Sequence, residues 1–416
     1  LRPDHPGPGG ERRIERARKQ TVAMNFPVRL LPLAVLLFIL PFPQTVALRL
    51  LALAIGLVPS AWTWHKAGFP KIPARTVLLL WSGCALLSLA TAVDPAYSLG
   101  EIKNEIGYAM AAFLSFLTLT RTREDAALLI VSLILGNLAL TAFGLWDTYS
   151  AGKTAWVNGR AGGSGTYSTY LLALLPVLLW SGTVLEHKRR WNLISGLIVL
   201  QLLVAVVVEQ RTFWLVFALQ ALIALYLLRA RGFITIPASR ARAIGIAAII
   251  VSALAVTGAA LKRQSLGWEQ DPRLATWTGV AAQILDQPLT GKGFGIETMK
   301  KAYPELLSKE YTAVWHAHNL FLNYGMSMGV PGMVAILGLF FALLRQFWLL
   351  GRSDDRIIAM AGICGVLLVV GVVARNLTND FFQRDLALLF WAIAGMFFGY
   401  AQHALTKPMG LRPAQT

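Results

Sequence analysis

The sequence predicts an all-α polytopic membrane protein, with about twelve transmembrane helices and one long, partly helical extramembrane loop. Composition is the first sign: hydrophobic residues make up 56% of the 416-residue chain and charged residues 14%. Soluble domains carry roughly a quarter charged residues, and mean hydropathy here is +0.57. Spacing is the second. Apolar runs of about 17 to 22 residues recur from Phe26 to Tyr400, the length a helix needs to cross the hydrocarbon core. The third is the absence of period-two alternation, which removes a barrel. Unpaired backbone cannot face lipid, so each run is a helix.

Taken in order, the chain opens with a polar, basic stretch that includes Arg12, Arg13, Arg16, Arg18 and Lys19. Met24 is a candidate native start with an extension before it; the alternative is a genuine cytoplasmic tail over 1–26. The apolar segment after Arg29 has the outline of a signal peptide. No small-x-small site follows it, so it is expected to stay as a first span. Charged, Pro and Gly breaks place helices at 27–42, 45–60, 76–93, 104–120, 126–146 and 168–185. Six more follow at 191–209, 212–228, 243–261, 319–344, 357–374 and 385–402. Pro41-Phe42-Pro43 separates the first two as a tight hairpin. The expected organisation is one membrane domain over 27–402, interrupted by the loop 262–318 and followed by a cytoplasmic tail, 403–416. No internal repeat is visible. Cys84 and Cys364 both lie inside apolar runs, so neither a disulfide nor a thiolate metal site is expected.

Orientation follows from lysine and arginine. Of 38 such residues, 24 fall on the N-terminal side of the membrane, seven in short opposite loops and seven in the long loop. Both termini are therefore expected inside and 262–318 outside. The net charge of +17 is accounted for by this asymmetry, and nucleic acid is not needed to explain it.

The long loop should start a helix at Asp271 or Pro272, with Leu274, Trp277, Ala281, Ile284 and Leu285 along one face. Gly291-Lys292-Gly293-Phe294-Gly295 ends it. That run lacks Walker spacing and reads as a turn. A second helix is expected from Ile296 to Lys309. Trp315-His316-Ala317-His318-Asn319 then leads into the tenth span, with Asn319 as candidate N-cap. Three arginines share this face. Arg211 interrupts apolar sequence at Glu209-Gln210-Arg211-Thr212, Arg375 heads Arg375-Asn376-Leu377-Thr378-Asn379-Asp380, and Arg160 sits in a Gly-rich loop. Charges at such depth are paired, snorkelling or functional; Arg375 has Asp380 as a candidate partner, and Arg160 reads as a loop charge. Imidazole titrates near neutrality, which favours a functional histidine over a helix cap. On a helix, residues 316 and 318 would face apart, and no His-Glu-x-x-His run exists, so no metal site is expected.

His318-Asn319-Leu320-Phe321-Leu322, followed by Gly329-Val330-Pro331-Gly332, resembles the signature of the O-antigen ligase and polymerase family. Arg211 with Trp214, and Arg273 with Trp277 followed by Pro288 and Gly291, resemble that family's two upstream blocks. The similarity covers roughly 200–344. It implies a membrane glycosyltransferase of GT-C-like architecture in the bacterial inner membrane, with its site at the periplasmic face. The donor would be an undecaprenyl diphosphate-linked glycan, the acceptor lipid A-core, and no cofactor would be needed. By resemblance His318 is the general base, and Arg211 and Arg273 bind the diphosphate. His316, Arg160, Arg375, Asn319 and Trp277 are candidates for supporting positions.

Within the family, polymerases and protein oligosaccharyltransferases are the alternatives. A short last outer loop and a short tail favour a ligase over a pilin transferase. A lipid-linked glycan transporter is the more distant alternative; it would need ionisable groups near the membrane midplane, whereas the unusual charges here gather at one surface.

Overall fold

The computed structural model describes residues 28–262, 272–307 and 316–406. The basic tail, Asp271, Trp315 and most of 403–416 lie outside the described residues. Within them the chain is helical, and the β pairing is one isolated bridge between Gly159 and Gly162.

Each predicted span has a counterpart. The helices are α1 (Val28–Ile39), α2 (Val46–Ala67), α3 (Arg75–Thr91), α4 (95–119), α5 (Arg123–Ser150) and α6 (Ser164–Val184). They continue as α7 (Arg190–Val208), α8 (Arg211–Ala230), α9 (Ala238–Lys262), α10 (Pro272–Asp286) and α11 (Thr298–Ala302). The last three are α12 (Leu320–Leu350), α13 (Arg356–Asn376) and α14 (Arg384–Thr406). Among the described residues nine helices are long and apolar enough to cross a membrane, while α1 and α3 are shorter apolar helices.

Three elements differ from expectation. Helix α4 starts at Pro95, well before position 104, because the Asp94 side chain caps it by accepting from the Tyr97 amide; a π-helical turn at Ile102–Gly107 then lets it continue. Arg49, one of the seven charges assigned to the short opposite loops, lies instead within helix α2. Its guanidinium is buried, pairs with Asp385 at the start of α14, and donates to the Pro43 carbonyl at 3.1 Å. The helix expected over 296–309 is the short α11 followed by a 3-10 turn at Pro304–Leu306. Pro304 has no N–H to give and biases the preceding residue away from helix; Tyr303 stands at φ −138°, ψ 63°.

Helices α6, α13 and α14 form the centre of the bundle, with 89%, 78% and 89% of their apolar windows buried; α9, at 11%, faces outward. Helix α14 lies close along α4 because two glycines let the backbones approach. A Cβ at Gly395 would meet the Phe113 carbonyl oxygen at 2.7 Å, and one at Gly399 would meet that of Leu117 at 2.7 Å.

The helices run up and down, so the loops sort to two ends. One end holds the Arg29–Asp125 pair at 3.0 Å and the Arg123–Glu186 pair. The other holds α10, α11 and the pairs Arg384–Glu101 (2.9 Å), Arg160–Asp147 (2.5 Å) and Lys301–Asp94 (2.5 Å). At this second end α12 is kinked: Gly329 has φ 73° and Pro331 follows. The glycine-rich turn docks into that kink. Amides of Lys292 and Gly293 donate to the carbonyls of Met326 and Ser327, and Val330 donates to that of Pro288. These amides are committed to helix carbonyls, which is the work of a structural turn and leaves no phosphate cradle. Fully buried Phe294 anchors it by stacking on Tyr324.

Candidate functional site

The segment 316–320 is pinned from four directions. From α10, the Trp277 indole donates to the Ala317 carbonyl at 2.8 Å. Asn319 caps α12 by accepting from the amides of Phe321 and Leu322, the role its residue type suggested. The same side chain donates to the Leu377 carbonyl at 2.9 Å, and the Leu320 amide donates to that of Asn379 at 3.1 Å. His316 Nδ1 lies 2.7 and 2.8 Å from the two carboxylate oxygens of Asp380. A carboxylate accepts and does not donate, so Nδ1 carries the hydrogen, and the basic nitrogen of a neutral His316 is Nε2. The His318 amide, 3.2 Å from the same Nδ1, is then a close neighbour more than a true donor.

His318 has φ 49°, left-handed backbone that a β-substituted residue adopts at a cost of about 1–2 kcal/mol. The consequence is geometric. Residues 316 and 318 are not on a helix, and their rings lie together with centroids 3.8 Å apart. This corrects the expectation that they face apart.

The arginines arrive from three elements. Glu209 (φ 55°) ends α7, Gln210 donates to Ser164 Oγ at 2.8 Å, and Arg211 opens α8 half-buried beside it. Arg273 lies in the first turn of α10. Arg375, at the end of α13, is completely buried against the start of α6. It does not pair with Asp380: its Nε donates to Thr169 Oγ1 at 3.2 Å, and its Nη2 to Ser168 Oγ at 3.2 Å. The charge of Arg273 is close enough to act on it. Arg160 goes elsewhere. It is exposed, it grips Asp147 through backbone and side chain, and its guanidinium lies 5.1 Å from the Phe143 ring.

Sequence reasoning missed the acidic partners at this end. Asp380 was considered for Arg375, not for His316. Glu101 pairs with Arg384, and Glu105 is buried one helical turn away. Asp94, in the loop before α4, is held below the usual carboxylate range by the Lys301 ammonium and by the Tyr97 amide. The available signal was polar residues interrupting apolar sequence. Among the described residues no group of three or more His, Cys, Asp or Glu side chains is arranged to hold a metal ion.

A cationic end of the bundle, a histidine held in strained backbone and a second histidine oriented by a carboxylate suit recognition of an anion beside a proton transfer. The O-antigen ligase family model matches residues 161–337. That span contains Arg211, Arg273, Trp277, both histidines and Asn319, and stops before Arg375 and Asp380. No curated protein matches the chain. Over residues 161–337 the chain is similar to the O-antigen ligase family.

Proposed function

We propose that the protein transfers an O-antigen glycan from undecaprenyl diphosphate to lipid A-core at the periplasmic face of the bacterial inner membrane. The family supports a glycosyl-transfer enzyme working on lipid-linked glycan. The observation that carries the finer assignment is the four-way pinning of the His318 segment at the same end of the bundle as Arg211, Arg273 and Arg375.

The chemistry is a displacement. A hydroxyl oxygen of the acceptor sugar attacks the anomeric carbon, and its proton passes to the imidazole of His318. The bond from that carbon to the diphosphate breaks, and the electron pair leaves with undecaprenyl diphosphate. Direct attack inverts the anomeric centre. Arg211 and Arg273 neutralise the leaving group, because a guanidinium fork donates two parallel hydrogen bonds to phosphate and stays charged. No metal, nucleotide or nucleic acid takes part; the least buried helices, α2, α7 and α9, would face membrane lipid.

A strain lacking the gene tests this. Loss of O-antigen on lipid A-core with retention of lipid-linked polymer supports ligation. Loss of the polymer ladder itself would make the protein a polymerase, and glycan missing from pilin-type protein would make it an oligosaccharyltransferase. Reporter fusions at Lys188 and Glu305 should respond oppositely; matching responses would sink the assignment of the site to the periplasmic side.

A further inference from the structure

Two large apolar side chains at the C-terminal end of α10 have little protein cover. Leu285, in the last turn, is 77% exposed, and so is Leu289 in the turn that follows. This end of α10 lies against α12 at a defined level. Ile284 meets α12 at Gly325, where an added Cβ would come within 2.7 Å of its Cδ1. At Gly329 such a Cβ would come within 2.9 Å of the Leu289 carbonyl oxygen. The Val330 amide donates to the Pro288 carbonyl at 2.8 Å.

The length of α12 fixes what surrounds that level. Its 31 residues rise about 46 Å, more than the roughly 30 Å hydrocarbon core needs. Toward its far end Trp348 is 44% exposed, and tryptophan is enriched at membrane interfaces. Exposed Arg345, one turn earlier, is within snorkelling reach of the same interface. Gly329 stands nineteen positions before Trp348, a rise of about 29 Å. The kink therefore marks where the hydrocarbon ends on the side of the histidines. Beyond it Val334, Leu337 and Phe341 are exposed along one face of α12, the face that meets lipid. Val330 is the next position up that row, and it is the residue that bonds Pro288. Leu285 and Leu289 thus extend a lipid-facing surface. Their neighbours Asp286, Gln287 and Thr290 are exposed and polar, which suits headgroup level and excludes deeper burial.

We propose that Leu285 and Leu289 form an interfacial anchor, seated where headgroups meet acyl chains in the leaflet on the histidine side. The partner is the bilayer itself. Through α10 the anchor sets the height of the His318 segment over the lipid, because the Trp277 indole holds the Ala317 carbonyl. The anchor requires only that the chain spans a membrane, so it stands or falls apart from the glycosyl-transfer reading.

Hydroxyl-radical footprinting of the unaltered chain, one copy per phospholipid nanodisc, tests it. Leu274, at the start of α10, is 45% exposed and serves as internal reference. Exposure in the protein alone makes Leu285 and Leu289 more reactive than Leu274. With the tip in lipid the order reverses, and each should be modified less than Leu274 by about threefold or more. A second measurement places spin labels on Leu285→Cys, Leu289→Cys and Thr278→Cys, each with Cys84→Ala and Cys364→Ala. Oxygen concentrates among acyl chains and a nickel chelate stays in water. Labels in the two leucine variants should collide more with oxygen, and the label in Thr278→Cys more with the chelate. A smaller footprinting difference, or leucine-site labels that meet the chelate as freely as the Thr278 one, overturns the proposal. So does protection seen only in discs holding two copies, which would give the tip to a self-interface. Should the labelled variants fail to fold, footprinting of the unaltered chain decides alone.

Discussion

The imidazole rings of His316 and His318 lie against one another, centroids 3.8 Å apart and planes tilted by 38°. This is possible because His318 leaves the β and α regions for φ 49°. Residues held in such backbone persist where surrounding contacts over-determine them, and they gather at functional sites. Here the contacts are the Trp277 and Asn319 hydrogen bonds on either side.

Replacing His318 should therefore separate stability from activity. Asn tolerates left-handed backbone better than other branched or bulky residues, so His318→Asn should fold at least as stably as the parent, with a gain under about 1 kcal/mol. Transfer should collapse while donor binding stays. Melting curves and a transfer assay measure the two separately. A variant that loses folded protein in proportion to activity would show that the ring serves packing instead of proton transfer.

Asp380 orients His316 by fixing which nitrogen carries the hydrogen. In Asp380→Asn the amide can donate to Nδ1, which moves the hydrogen to Nε2 and removes that nitrogen's lone pair. Turnover should fall, but by less than the roughly 10²-fold or more expected from losing the base His318 itself, because His316 acts through its contact with that ring. Apparent donor affinity should hold within a few-fold. An equal loss in His316→Ala and Asp380→Asn, with no further loss in the double variant, would show that the pair acts as one unit. Additive losses would refute that.

The Asp94–Lys301 link ties the loop before α4 to α11, and its pH window is set by sign. Lys301 donates to Asp94 at 2.5 Å and the Tyr97 amide donates at 3.0 Å, so the carboxyl is held below its ordinary value of 3.8. A depressed carboxyl contributes stability that is present above the ordinary value and is lost as pH falls through the folded one. Corrected hydrogen exchange over 298–302 should stay flat between about pH 5 and 8 and rise only in acid. Asp94→Asn should show the raised exchange already at neutral pH. A transition between pH 6 and 8 in the parent would mean that another group governs this contact.

What was legible in the sequence and what was not divide along the range of the interactions. The twelve apolar runs, the Pro272 helix start and the Asn319 cap are local patterns, and the structure has all of them. The Asp94 cap was equally local and was passed over, because a hydropathy window hides a polar first turn. The histidine geometry was not legible because rings that would face apart on a helix are brought together by the left-handed backbone at His318. Asp380 meets a residue 64 positions away, and Arg375 meets the start of α6 more than 200 positions away. Pairings of that range are made by how helix ends meet at one end of the bundle, and no periodicity along the chain encodes them.

The last prediction concerns metal. Membrane glycosyltransferases that use a divalent ion present carboxylate oxygens to it beside the diphosphate, since hard cations require oxygen ligands. At this end of the bundle five of the described acids are committed to other partners. Asp94 is taken by Lys301, Asp147 by Arg160, Asp385 by Arg49, Asp380 by His316 and Glu101 by Arg384. Glu105 is buried one helical turn from Glu101. Freeing Asp385 for an ion would leave the buried Arg49 unbalanced, and freeing Asp380 would release the His316 ring. With arginines neutralising the leaving group, purified protein given lipid-linked donor and acceptor should transfer at the same rate in excess EDTA. If chelation abolishes transfer and magnesium or manganese restores it, arginine alone does not stabilise the leaving group. Glu101 and Glu105 are then the first ligands to test, because they are the acids already side by side, and Glu101→Gln and Glu105→Gln should each shift the metal concentration needed for half-maximal rescue.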